Sequence, residues 1–347
     1  MHVIRVRNVN DALWKGLWHL KNVGVRRESR NGPVLVAPEP VTTVYEKPME
    51  RVLVDEVRDA NPFFHLMESL WMLAGRNDVD FVARFVGRMR EFSDDGRTLS
   101  GAYGHRWRRH FQVDQVADSI RMLKDDPTTR RAVIAMYDPA KDSPKPYPQK
   151  DIPCNTHLYL DATSGVLNMT VSCRSNDVIW GAYGANAVHF SFLQEFIAAC
   201  VGIPVGKLYQ ISNNYHIYID RPDVKRLFND DGTPIRTESS NPYTNGEAVP
   251  FPILTSDYSV WMRDLEAFMS TIGSADIYWD EEREREDGTR FADPWFQHVA
   301  YPMIRSWRAY KQDDPITAYE EAWKIKDGGW RIACLSWIRR RLERRGK

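Results

Sequence analysis

Apolar positions recur along this chain at two spacings, and the change from one to the other marks its elements. Residues 11–24 read as a helix ending at Gly24, and a turn signal follows at Asn31-Gly32. Residues 33–54 alternate but carry four prolines, which predicts edge strands and loops rather than a central strand. Asn61-Pro62 opens the strongest helix of the first half. Phe63, Phe64, Met67, Leu70, Trp71 and Leu73 form its wide apolar face, and Gly75 ends it. Residues 77–98 are charged and read as helix and loop, 114–124 as a helix, and 132–137 as an apolar strand. Beyond a turn at Gly165, Leu167, Met169 and Val171 alternate as a half-buried strand. A Gly-rich bend through Gly181 and Gly184 precedes a helix over 187–201, stopped by Gly202, and 207–212 returns as a strand. The remaining chain is Trp-rich with helical pattern at 256–272, 292–311 and 315–345, interrupted by an acidic stretch at 280–287.

Composition narrows the class. The 347 residues can hold one large domain or two smaller ones. Lys+Arg and Asp+Glu both number 47, so no global basic field calls for a nucleic-acid partner. The basic run from Arg339 to Lys347 is most simply a solvated helix face and tail. Four cysteines without CxxC spacing argue against a metal site and suit a reducing compartment. The N-terminus lacks a signal-peptide pattern, and no apolar run approaches the roughly 18 residues of a membrane span. The expectation is a cytoplasmic protein with no membrane partner.

Several residues then stand out chemically. Cys154 follows a proline and lies twenty residues before Arg174-Ser175. If the intervening strands pair, Arg174 faces Cys154, and a guanidinium there favours the nucleophilic thiolate. Glu68 lies within the apolar helix, where a carboxylate is costly unless paired, hydrated or used. Arg26, Arg27 and Arg30 on a loop can hold a phosphate or stand solvated. Arg130 and Arg131, adjacent at a strand's start, point to opposite faces, so at least one faces outward. Tyr103 and Trp107 sit in a Gly-bracketed segment of the kind that lines a cleft. His216 and Tyr218 lie two apart near a polar turn.

Taken together these segments resemble the thymidylate synthase family. Glu68-Ser-Leu-Trp71-Met-Leu-Ala-Gly75, Tyr103-Gly-x-x-Trp107, Arg130-Arg131, Pro153-Cys154, Arg174-Ser175-x-Asp177 and His216-Ile-Tyr218 occur in that family's order. The resemblance covers roughly residues 10–225. It implies an α/β fold whose large mixed sheet forms a homodimer interface; residues 1–255 are expected to be the catalytic domain, and 256–347, outside the resemblance, a helical extension packed on it. It also implies a pyrimidine nucleoside monophosphate and 5,10-methylenetetrahydrofolate as substrates. Cys154 would add to C6 of the base, and Glu68 would manage proton transfers. Arg30, Arg174 and Ser175 would hold the 5′-phosphate, joined by Arg130 and Arg131 from the second subunit. His216 and Tyr218 would contact the sugar, and Asn186 the base edge. Tyr103 and Asp177 would serve the nucleotide–folate region, with Trp71 and Asp177 at the folate.

The departures bear on the product. Asn155 follows the nucleophile where the family usually has His, and Asn176 stands where it has Cys. Arg174-Ser-Asn-Asp177 is similar to phage-type deoxycytidylate hydroxymethylases. The family's Ile-Trp-Asp segment is replaced near Arg90-Glu-Phe92, and its hydrophobic closing tail is missing. A more open site favours water over hydride at the methylene intermediate, giving hydroxymethyl rather than methyl. Trp330 or Trp337 could fold over the site and restore the cover. Asn186 can pair with uracil or, turned over, with cytosine. The motif places dCMP slightly ahead, with dUMP hydroxymethylation or thymidylate synthesis as alternatives. A non-catalytic nucleotide-binding protein would not need both Cys154 and Glu68. A cysteine hydrolase would need His157, which alternation turns away.

Overall fold

The computed structural model describes residues 1–143, 149–235, 241–254, 257–273 and 290–345. The acidic stretch at 280–287 and the boundary expected at 255–256 lie outside the described residues. In chain order the strands are β1 (His2–Val6), β2 (Val25–Arg27), β3 (Val34–Val36), β4 (Val41–Tyr45), β5 (Val133–Ala135), β6 (Asn155–Asp161), β7 (Leu167–Cys173), β8 (Asn176–Asp177), β9 (Val205–Ser212) and β10 (Tyr215–Tyr218). A six-stranded mixed sheet runs β1-β4-β9-β7-β6-β5, and a four-stranded one runs β2-β3-β10-β8. With helices covering one face, the fold is the expected mixed α/β architecture.

That covered face follows from alternation. Leu167, Met169, Val171 and Cys173 of β7 are buried, whereas the residues between them are half-buried. The Asn186–Val201 helix lies on this face, and Gln194 ties it down through hydrogen bonds to the carbonyls of Leu167 (2.8 Å) and Lys207 (3.0 Å). Its other side is covered by the Pro62–Leu73 and Gln115–Asp125 helices, so it is apolar nearly all round. Asn61 caps the Pro62–Leu73 helix by accepting from Phe64 N at 3.2 Å, and Pro62 pre-sets its first turn. Every residue of that helix is buried except Glu68.

The opposite face of the large sheet is open towards its two edges, although Val44 near its middle is buried. Arg5, Val44, Tyr209, Thr170, Tyr159 and Val133 stand side by side across all six strands. Val3, Tyr159 and Val133 on this face are 52%, 46% and 38% exposed.

Four expectations change. β4 is a central strand between β1 and β9 with all five residues buried, because the prolines flank the strands instead of interrupting them. Arg26 and Arg27 belong to β2, which leaves Arg30 as the arginine of the turn. The helix expected at 315–345 is two, Pro315–Trp323 and Gly328–Arg345. The break is imposed by packing: Asp327 accepts from Trp330 N (3.0 Å) and Phe251 N (2.8 Å), and a Cβ on Gly329 would meet the Tyr243 hydroxyl. The basic C-terminal run is not merely solvated. Arg340 and Arg341 are half-buried and pair with Asp59 at 3.0 and 2.6 Å. Trp337 packs on Phe63, Trp307 and Tyr310 at ring separations of 5.5, 5.7 and 5.0 Å.

Candidate active site

β6 and β7 pair antiparallel around Gly165, whose φ of +77° suits a residue without a side chain. Their pairing brings Arg174 to Cys154: Arg174 N donates to Cys154 O at 2.8 Å. The Arg174 guanidinium folds over the same segment, donating to Pro153 O (2.9 Å) and Ile152 O (3.0 Å). A register shift between Asn155 and His157 marks a bulge just past Cys154, a device that re-aims side chains beside functional sites. His157 stacks near Tyr159 and does not line the cleft, so it is not placed to act as the base of a cysteine hydrolase.

Cys154 opens into a cleft of about 510 Å³, within the usual range for a small-molecule site. Glu68, Tyr103, Arg30, Arg174, Ser175, Asp177, Asn186, Tyr218 and Trp71 all line it. One wall is apolar, formed by Trp71, Met72, Met89, Phe92, Leu99 and Trp180. Arg30, Arg174 and Ser175 give another part cationic and hydrogen-bonding character. A flat heteroaromatic group fits the first and a phosphate the second. Trp330 and Trp337 are buried elsewhere and do not line the cleft; Trp180 supplies aromatic cover instead. Arg130 and Arg131 are exposed and lie outside it. His216 is buried behind Tyr218, its ring edge-on at 5.3 Å.

The charge balance around Cys154 differs from expectation. Burial pushes the thiol above its ordinary value; Arg174 pulls it down, but not enough, with Asp151 opposing and Arg30 assisting. Burial likewise holds the Tyr103 phenol well above its ordinary range, so it stays a neutral hydroxyl, accepting from Asn155 N at 3.3 Å. Asp177 is raised mainly by burial, against the N–H groups of Ile179 and Trp180 and the nearby His216. Its two oxygens take those N–H groups at 3.2 Å each, capping the wide helical turn Val178–Ala185. Register places His216 opposite Asp177, through the parallel pairing of β10 and β8.

Several residues escaped sequence reasoning. His189 Nε2 stands 3.1 Å from Glu68 Oε2, and neither atom has a well-directed hydrogen bond among the described residues. Arg58, fully buried, donates to Ile179 O at 2.7 Å and sustains the turn that holds Asp177. Asp151 lines the cleft and accepts from Gly101 N at 2.7 Å. The two departures from the family pattern prove to be connected. Asn155 Nδ2 donates to Asn186 Oδ1 (3.1 Å), Asn186 Nδ2 to Asn176 Oδ1 (3.1 Å), and Asn176 Nδ2 to Ser212 Oγ (2.8 Å). A helical spacing of i, i+3 from Asn186 would have found His189; the others needed the fold.

The chain belongs to the thymidylate synthase family, whose family model matches residues 57–231, and is a pyrimidine C5 one-carbon transferase of that family. It is similar, at 47% identity, to the deoxyuridylate hydroxymethyltransferase of Pseudomonas phage M6, over 98% of this chain and 95% of that protein. The deoxyuridylate hydroxymethyltransferase of Bacillus phage SP01 is 34% identical over 72% of this chain and 68% of its own. That of Delftia phage PhiW-14 is 30% identical over 62% of each. Enzymes of this family use methylenetetrahydrofolate as the one-carbon donor. No helix among the described residues is long and apolar enough to cross a membrane, and no cluster of three or more His, Cys, Asp or Glu there could hold a metal.

Proposed function

We propose that this protein converts dUMP to 5-hydroxymethyl-dUMP, taking the one-carbon unit from 5,10-methylenetetrahydrofolate. One observation carries the choice of base and product: the end-to-end similarity to a protein named for deoxyuridylate hydroxymethyl transfer. It revises the slight preference for dCMP that the Arg174-Ser-Asn-Asp177 motif gave.

In this reading Cys154 adds to C6 of the base, which makes C5 nucleophilic. Methylenetetrahydrofolate supplies the electrophilic carbon. Glu68, facing the cleft beside His189, moves protons at the base, directly or through water. Arg30, Arg174 and Ser175 hold the 5′-phosphate, and Asn186 reads the base edge. Tyr218 contacts the sugar, with His216 behind it. Tyr103 sits at the nucleotide–folate junction, and Trp71 and Asp177 at the folate. The raised thiol of Cys154 argues that a bound nucleotide, not the resting site, draws out the thiolate.

The open face of the six-stranded sheet supports a homodimer formed through it. Arg131 leads into the outermost strand, β5, so a partner could carry the double arginine to the other cleft. Product mass from dUMP and dCMP in ¹⁸O-labelled water tests the function. A hydroxymethyl nucleotide from dUMP carrying the label supports it; dTMP with dihydrofolate, or turnover of dCMP alone, overturns it.

A further inference from the structure

Asp151 has no part in the roles above, yet its carboxylate lines the same cleft as Cys154, three residues along the chain. One oxygen, Oδ2, accepts from Gly101 N at 2.7 Å, and Oδ1 has no hydrogen-bond partner among the described residues. Gly101 is adapted to this approach: a Cβ there would come within 2.8 Å of Oδ1. The backbone therefore anchors one oxygen and leaves the other available.

Resting on the hydroxymethyl-transfer reading, we propose that Asp151 is the general base that activates the water which ends the reaction. Once folate has left, the nucleotide holds a CH₂ group double-bonded to C5 while C6 remains bonded to the Cys154 sulfur. A water oxygen bonds to that CH₂ carbon as Asp151 takes the water's proton. The CH₂=C5 π electrons move to the C4 carbonyl as an enolate. The enolate collapses, forming C5=C6 and expelling the Cys154 thiolate, and Asp151 returns its proton to solvent or the thiolate. No oxidant or reductant enters.

The surroundings suit a base near neutral pH. Burial pushes the carboxyl up to about 6, against the Gly101 N–H and Arg106 and with Asp94 and Glu68. Cys154 also faces it, and neighbouring Lys150 is occupied with Ser93 O at 3.1 Å. Arg106, which pairs with Asp142 at 2.8 Å, is not free to neutralise it.

Asp151→Asn tests the assignment, because the amide oxygen can still accept from Gly101 N. With 5-tritiated dUMP and methylenetetrahydrofolate, the variant should release tritium in a burst of about one per site and then stall. Steady hydroxymethyl formation should fall about a hundredfold or more, as loss of a general base does. Added 2-mercaptoethanol should trap the methylene group as a thioether nucleotide. In the unaltered enzyme, hydroxymethyl formation should rise through pH about 6, while the tritium burst lacks that limb. Hydroxymethyl formation within threefold of the unaltered enzyme, or a burst and product limb that coincide, leaves Asp151 only as an anchor for Gly101 and overturns the proposal. Should the unaltered enzyme make dTMP, the underlying reading fails first, and the proposal with it.

Discussion

Asp59→Asn isolates how the C-terminal helix is held. The Asp59 side chain is 5% exposed and faces Arg341 at 2.6 Å, Arg340 at 3.0 Å, Arg344 at 3.2 Å and Arg226 at 3.9 Å. Arg344 and Arg226 are over a third exposed, so water replaces most of what they lose. Arg340 and Arg341 are 13% and 20% exposed, and Arg341 also lies 3.6 Å above the Trp337 ring. Removing one member of a buried pair costs about 3–5 kcal/mol; an asparagine oxygen that still accepts one guanidinium brings the expectation to about 2–3 kcal/mol. Asp59 has a φ of +53°, a region asparagine tolerates equally, so the backbone adds no term. Hydrogen exchange at pH 7 should show the Gly328–Arg345 amides losing that much protection, while those of β7 and β9 change little. Burial raises the Asp59 carboxyl, but Arg341 and Arg340 outweigh it and hold its folded value below normal. Its contribution is thus full above the unfolded value of about 4 and vanishes as pH falls through the folded value. A loss under about 0.5 kcal/mol, or one that persists unchanged when both proteins are compared below that folded value, would refute the reasoning.

Further outcomes follow from the cleft. Cys154→Ala should abolish turnover yet bind dUMP nearly as well by calorimetry, because arginine–phosphate contacts carry much of the affinity. Gly104→Ala would put a Cβ 2.0 Å from Met72 O, forcing apart the segments that carry Tyr103 and Glu68; a loss of roughly 1–3 kcal/mol or more in urea unfolding is expected. Mixing Arg131→Ala with Cys154→Ala subunits, each nearly inactive alone, should restore part of the activity if the arginines serve the partner's cleft.

Much of the site was legible because it rests on local pattern. The Cys154–Arg174 spacing predicts paired strands, and the apolar face around Glu68 marks a costly carboxylate, although whether it faces the cleft or solvent is decided only by the fold. Other features had no local signature. β4 looked peripheral because its prolines dominate a window in which only five residues form a strand. The sign at Cys154 was misjudged because spacing reveals the arginine but not the burial that outweighs it. The break before Gly328 belongs to Tyr243, Phe251 and Asp327, which come together only in the fold.

The hydrogen-bonded row from Asn155 through Asn186 and Asn176 to Ser212 makes the orientation of one amide a collective property. Asn186 cannot turn over alone, since each neighbour would then meet donor with donor or acceptor with acceptor. Only the whole row can reverse, with the Ser212 hydroxyl rotating to follow. If Asn186 reads the base, as proposed above, preference for one pyrimidine over another is stored in four positions on four separate elements. A substitution at Asn155 or Asn176, neither of which need touch the base, would loosen that preference as surely as one at Asn186.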